Sequence, residues 1–247
     1  MASLSGRHVL VIGGTSGFGL EIARQALGEG ADVIAIGRSP EHLEAAKTAL
    51  DTAVSSADRT AHAEIAALDA TDMQQLAEFV EQHGPFDHVV SMMGGAMGGG
   101  FLNNTDDAIR AAVDGKYLTA LRIARVVLPH ISDGGSLTLT AGSGGRPYNA
   151  SGAVLGNQAI ETLVQGLAIE SSPRVRVNAV APWWTPTGLW RGMTPEQLTA
   201  QAEQMADANP LKRLGTIDEV ADAYLFLMRN GFMNAETIHV DGGVSAL

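Results

Sequence analysis

A chain of 247 residues, 45% hydrophobic and 17% charged, carries enough apolar material to bury one sizeable core. Its 16 basic against 27 acidic residues, a net charge of -11, argue against a surface that tracks a nucleic-acid backbone, though not against one anionic ligand in a local pocket. With no cysteine and seven scattered histidines there is no disulfide framework, no thiolate chemistry and no spacing for a zinc site, so no metal is expected.

The first predicted element is the strand HVLVIGG (8–14), short, apolar and closed by glycines. The start of the chain is too glycine-rich for a membrane span and too short in its apolar run for a signal core, so a cytoplasmic protein is expected. A helix follows over 18–30, then the strand DVIAIG (32–37). Ser39 and Pro40 supply a cap and a first-turn proline for the next helix. The third strand is HAEIAALD (62–69); Thr71 and Gln74 predict a capping box for the helix that Gly84 ends. DHVVSMM (87–93) runs into a glycine-rich loop, and a helical tract over 105–131, in one or two pieces, leads to the strand SLTLTAG (136–142). A helix over 153–170 and the strand RVRVNAVAP (174–182) come next. Residues 185–213 predict an excursion or lid with a helix begun at Thr194, Pro195 and Gln197; Thr216 and Glu219 open the last helix, and ETIHVDGG (236–243) closes the sheet.

Strands and helices alternate, and the strands are continuously apolar, as when helices cover both faces. The pattern predicts a single Rossmann-like α/β domain over 1–247: a doubly wound parallel β-sheet with helices on both faces.

GGTSGFG, Gly13 to Gly19, stands between a predicted strand and helix. There glycines permit close approach to a pyrophosphate, and the helix start offers free N–H groups. Thr15, Ser16 and Phe18 belong to this loop. After the second strand many NAD sites place an acid; here Gly37 is followed by Arg38 and Ser39. A guanidinium fork suits a 2′-phosphate, which points to NADP(H); the alternative is a solvent-facing surface charge. Asp69 meets an adenine edge or caps the turn before Thr71.

Along nearly the full chain these positions resemble the short-chain dehydrogenase/reductase family. Gly13, Gly17 and Gly19 match its glycine motif, Asp69 its adenine-side aspartate, Gly94 the last residue of its Asn-Asn-Ala-Gly motif, Pro182 its proline and Thr187 its carboxamide-binding threonine. Trp183 stands where the family has glycine. The resemblance implies an NADP(H)-dependent oxidoreductase acting through serine, tyrosine, lysine and an assisting asparagine, and a homodimer or homotetramer built on the helices over 105–131 and 153–170. Counting from both sides places Gly142 at the serine, Ala153 at the tyrosine, Asn157 at the lysine and Lys116 at the asparagine. Tyr148 lies five residues from the tyrosine position.

Compensation is therefore expected from Lys116, Ser143, Tyr148 and Asn157, with Asn157 also touching the cofactor ribose and Arg146 meeting an anionic substrate group. The competing readings are an ion-paired Lys116, a surface Arg146 and a Tyr148 packed over the cleft mouth. Met92, Met93, Met97 and Phe101 flank the exit of the fourth strand, and Trp183, Trp184 and Trp190 that of the sixth, at strand ends where open α/β sheets bind ligands. They predict a small apolar or aromatic carbonyl or alcohol substrate, or else lid and subunit packing. The rival function is a non-catalytic NADP(H)-binding regulatory or interaction protein, since fold alone does not license an activity.

Overall fold

The computed structural model describes residues 2–56, 61–94, 98–190 and 192–247. Seven strands form one sheet in the order β3-β2-β1-β4-β5-β6-β7. They are β1 His8–Ile12, β2 Asp32–Gly37, β3 Ala63–Ala67, β4 Phe86–Ser91, β5 Ile131–Thr140, β6 Arg176–Pro182 and β7 Thr237–Val240. Every pairing is parallel, with His8 opposite Asp32 and Val9 opposite His88 on the two sides of β1. The winding direction reverses between β1 and β4, so the loops leaving these two strands diverge and open a crevice at their carboxyl ends.

Eight α-helices cover the sheet among the described residues: α1 Gly17–Gly28, α2 Pro40–Ser56, α3 Met73–His83, α4 Asp106–Val113, α5 Thr119–Val127, α6 Ser151–Glu170, α7 Pro195–Ala208 and α8 Ile217–Arg229. One face carries a core in which Leu137 and Leu139 of β5 meet Ile123 of α5 and Ile160 of α6. The other packs Val9 and Val11 of β1 against Ile22 of α1 and Tyr224 of α8. Burying both faces explains the absence of polar alternation in the strands.

Local chemistry sets most helix ends. Thr194 and Thr216 each form the expected capping box, with Gln197 and Glu219. At α3 the cap is Asp72, whose carboxylate accepts from the Gln74 and Gln75 amides. Thr71 is not the cap: its hydroxyl donates to Asp69, 2.7 Å away, and so is spent on the preceding turn. The tract over 105–131 divides at a π-helical turn, Asp114–Leu118, before α5 and a short 3-10 turn over Leu128–His130. Strand β5 starts five residues before the expected Ser136, because the register slips between Phe86 and His88 and the polar stretch 132–135 bulges out. Among the described residues no helix is long and apolar enough to cross a membrane.

Candidate functional site

The crevice floor begins at the loop between β1 and α1. Gly13 and Gly17 take φ of +79° and +52°, in the left-handed region that glycine alone enters cheaply. A β-carbon on Gly19 would stand 2.2 Å from the Gly13 carbonyl oxygen, so the loop closes this tightly only without one. Ser16 precedes α1 without a side-chain cap bond, and the first turn holds no acid. The leading amides of α1 are thereby left for an anion from outside. This cradle fits a dinucleotide's pyrophosphate. Phe18 packs partly into the core beside α1, and Thr15 is buried. A β-carbon on Gly37 would lie 2.2 Å from the Thr15 hydroxyl, which excludes a side chain where many related sites carry an acid.

Arg38 and Ser39 follow at the end of β2. Arg38 is 77% exposed on its side chain and stands 3.6 Å from the Asp69 carboxylate. At that exposure the pair holds the guanidinium loosely, free to turn to a ligand. Hydrogen bonds from the Thr71 amide and hydroxyl hold the Asp69 carboxyl below its ordinary range. Asp69 thus serves its turn and lies beside Arg38 at the same time.

The opposite wall is built around Lys116. Lys116 lies in the π-helical turn and is its buried residue. Lys116 is 7% exposed, and its Nζ donates to the Ala141 carbonyl oxygen at 3.1 Å and to Asn157 Oδ1. Burial pushes the ammonium down to about 8. Glycines make room for it: β-carbons at Gly94 and Gly156 would approach its side chain to 3.6 and 3.0 Å, and one at Gly142 would meet Asn157 at 2.9 Å. Asn157 lies on α6, one turn beyond Ala153.

Ser143 leaves β5 with its amide on the Pro182 carbonyl oxygen and its hydroxyl 2.7 Å from His239 Nδ1. Arg146 donates to the Leu247 carbonyl oxygen, 2.8 Å away, and Tyr148 is 75% exposed. The tryptophans divide. Trp184 is buried against Trp190, with centroids 5.5 Å apart, and Trp190 donates its indole N–H to the Thr185 carbonyl oxygen. Trp183 is half-buried, with its indole nitrogen over Gly144. Thr187 reaches across to α1, 3.6 Å from where a Gly17 β-carbon would be. Met92 packs beside Gly13, and Met93 is half-buried next to the core. Phe101 is 49% exposed, and Met97 lies outside the described residues.

The structure thus gathers the glycine loop, Thr187 and the β4 exit on one side, and Lys116, Asn157 and Gly94 on the other. Sequence reading overlooked His239. Its signal was a polar residue inside the apolar strand TIHV, two positions before Asp241. Among the described residues, no group of three or more histidines and carboxylates gathers to hold a metal.

Comparison with known proteins agrees with this geometry. A family model described as Enoyl-(Acyl carrier protein) reductase matches residues 13–245. The 2,3-dihydroxy-2,3-dihydro-p-cumate dehydrogenase of Pseudomonas putida is 32% identical, over 99% of this chain and 96% of its own length. The levodione reductase of Leifsonia aquatica is 30% identical, over 97% and 94%. Among solved structures, an NADPH-bound short chain oxidoreductase from Pseudomonas aeruginosa PAO1 containing an atypical catalytic center is 26% identical, with a TM-score of 0.88 over the whole of both chains. With the dinucleotide cradle, the sheet order and a full-length family match in place, the chain belongs to the short-chain dehydrogenase/reductase family, oxidoreductases that use nicotinamide cofactors.

Proposed function

We propose that this protein is an NADP(H)-dependent oxidoreductase for a small apolar carbonyl or alcohol, with a catalytic centre in which lysine and asparagine have exchanged places. The observation that carries the reading is the contact between Lys116 and Asn157. The family pattern puts asparagine at 116 and lysine at 157. Here both residues are exchanged, and their side chains still meet in one buried place. The exchange keeps a cation at the site and changes the element that delivers it.

The nicotinamide, when bound, supplies or accepts the hydride. The chain's residues do the rest. Gly13, Thr15, Ser16, Gly17, Phe18 and Gly19 seat the pyrophosphate, and Arg38 with Ser39 takes the 2′-phosphate. Asp69 turns to the adenine, Asn157 to a ribose hydroxyl, and Gly94, Pro182 and Thr187 border the nicotinamide end. The Lys116 ammonium stabilises the negative charge that develops on the substrate oxygen, in a dry setting where a fixed charge acts strongly. Ser143 and Tyr148 border that oxygen. Arg146, Met93, Trp183, Trp184 and Trp190 shape the substrate side, with residues 185–213 as its lid. Relatives named as a dione reductase and a dihydrodiol dehydrogenase support carbonyl or alcohol chemistry, and the NADPH-bound relative supports the cofactor and an unusual centre. A single domain, assembled as a homodimer or homotetramer and working in the cytoplasm, completes the reading.

Fluorescence titration tests the cofactor: NADPH is expected to bind at least about tenfold more tightly than NADH, the worth of one charge-assisted contact. Equal affinities would remove the role of Arg38. A panel of aldehydes, ketones, quinones and enones then tests the chemistry. Tight NADPH binding without turnover across the panel would replace the enzyme by the non-catalytic, NADP(H)-binding regulator.

A further inference from the structure

We infer that Asn104 and Ser151 are positioning residues for the Lys116–Asn157 centre: with Gly99 they form a clasp that ties the start of α4 to the start of α6, and so sets how closely Lys116 is enclosed. Only the effect of the clasp on turnover rests on the role proposed for Lys116 above.

The two elements that meet at Lys116 both begin at this place. Thr105, next to Asn104, caps α4, and α4 runs without a break into the π-helical turn that holds Lys116. Helix α6 starts at Ser151 and brings Gly156 and Asn157 to the Lys116 side chain within its first two turns. Local anchoring is thin at both starts. Within the chain α4 buries no side chain fully, so the Thr105 cap fixes its first turn but not its place beside α6. Ala150, the cap residue of α6, makes no side-chain cap bond.

The anchor is the loop at Gly99. The Ser151 amide and hydroxyl both donate to the Gly99 carbonyl oxygen, at 2.9 and 3.0 Å, which gives the first helical amide of α6 an acceptor from another part of the chain. The Gly99 amide donates in turn to the Asn149 carbonyl oxygen at 2.8 Å, and Gly99 and Ala150 form an isolated parallel bridge. Asn104 holds this loop in shape. Its Nδ2 donates to the Gly98 and Gly100 carbonyl oxygens at 3.1 and 3.0 Å and stands 3.5 Å from the Ser151 hydroxyl, which is fully buried with its residue. Gly99 takes a φ of +83°, and a β-carbon there would lie 2.8 Å from Asn104 Nδ2. One on Gly100 would lie 2.5 Å from the Tyr148 carbonyl oxygen. The glycines after β4 are therefore what lets the two loops touch.

With both starts held, the Lys116 stem is enclosed between Gly94 and Gly156, where β-carbons would approach it to 3.6 and 3.0 Å. That fit keeps water from the ammonium, and burial is what holds it near 8. Opening the clasp frees α4 to shift on α6, admits water and draws the ammonium away from the Ala141 and Asn157 oxygens.

The test uses the full-length protein, shown to be folded by circular dichroism, with isotopically labelled lysine read by NMR. The lysines are Lys47, Lys116 and Lys212, and Lys116→Met assigns the signal. In Asn104→Ala the Lys116 titration is expected to rise from about 8 toward its ordinary 10.5, and amide exchange at Gly99 and Ser151 to quicken. Ser151→Ala, which keeps the backbone bridge, should do the same to a smaller degree. Gly100→Ala, whose methyl meets the Tyr148 carbonyl oxygen, should reproduce Asn104→Ala with the Asn104 amide intact. Should Asn104→Ala not fold, these two variants carry the same test. Thr194→Ala, a capping loss in α7, should leave the Lys116 titration at its wild-type value, which separates the clasp from general loosening. Single-turnover reduction by NADPH of a ketone that the wild type reduces should slow about 10- to 100-fold in Asn104→Ala, the scale of a displaced catalytic group, with NADPH affinity by fluorescence unchanged. A wild-type Lys116 titration in both Asn104→Ala and Gly100→Ala would overturn the clasp, whatever the turnover. A raised titration with wild-type turnover would uphold the clasp and overturn the charge-stabilising role proposed for Lys116.

Discussion

On the β1–α1 side of the crevice the loop works through its backbone; on the β5–α6 side the contacts are made by side chains that arrive from far apart in the chain. The first side needs seven consecutive residues, Gly13 to Gly19, and works through turn geometry and the start of α1. The second joins Lys116, Asn157 and Ala141, and beyond them Ser143 to His239, 96 positions apart. The difference teaches that a backbone loop tolerates little change at its glycines, whereas a cluster of side chains depends on the packing of distant elements.

The sharpest way to break the comparison is Gly19→Ala. The added methyl would overlap the Gly13 carbonyl oxygen, 2.2 Å away, and force the loop open. NADPH affinity is expected to fall by about 100-fold or more, close to 3 kcal/mol, with circular dichroism still showing a folded protein. Unchanged affinity by fluorescence titration would mean that the dinucleotide does not sit on this loop.

Lys116→Met probes the other side. Turnover should drop by about 100- to 1,000-fold, the scale seen when a fixed charge-stabilising group is lost. Stability should move the opposite way at neutral pH. The folded-state value of Lys116 is about 8, against an ordinary 10.5, so keeping it charged at pH 7 costs on the order of 3 kcal/mol. Removing the amine leaves two buried acceptors unpaired, which returns about 2 kcal/mol of that gain. A net rise of about 1 kcal/mol is expected, roughly 2–4 °C in Tm. The sign follows from proton counts. Between about pH 8 and 10.5 the unfolded chain holds the proton and the folded chain does not, so wild-type stability from this group increases with pH across that window. In Lys116→Met this contribution should vanish in urea titrations at pH 7 and pH 10.

A smaller effect is expected in α7. No side chain of α7 is fully buried, so its start depends on the Thr194–Gln197 capping box. Thr194→Ala should cost about 1 kcal/mol, confined to that helix. Faster amide exchange over 195–208 with nearly unchanged global Tm is the expected outcome; a large global loss would show α7 to be part of the cooperative core.

How much could be read in advance differs in the same way between the two sides. The capping boxes at Thr194 and Thr216, the glycine loop and the helix after Pro40 were legible because each is settled within a few residues. Thr71 misled because Asp72 offers the same capping chemistry one position on, and the Asp69 turn had already taken the threonine hydroxyl. The start of β5 was hidden by a polar bulge whose partners lie on β4. Lys116, Ser143 and Asn157 could be named as candidates, but not their partners. His239 went unnoticed, since one histidine in a short apolar strand has many uses.

The sequence by itself determined the alternation of strand and helix, the glycine loop at Gly13–Gly19 and the capping boxes at Thr194 and Thr216, because turns, caps and periodicity act over a few residues. Only the tertiary structure decided that Lys116 and Asn157 share one buried contact and that Ser143 faces His239. Those contacts depend on the π-helical turn at Asp114–Leu118, on the packing of α6 and on the pairing of β6 with β7, which no local stretch of chain can set alone.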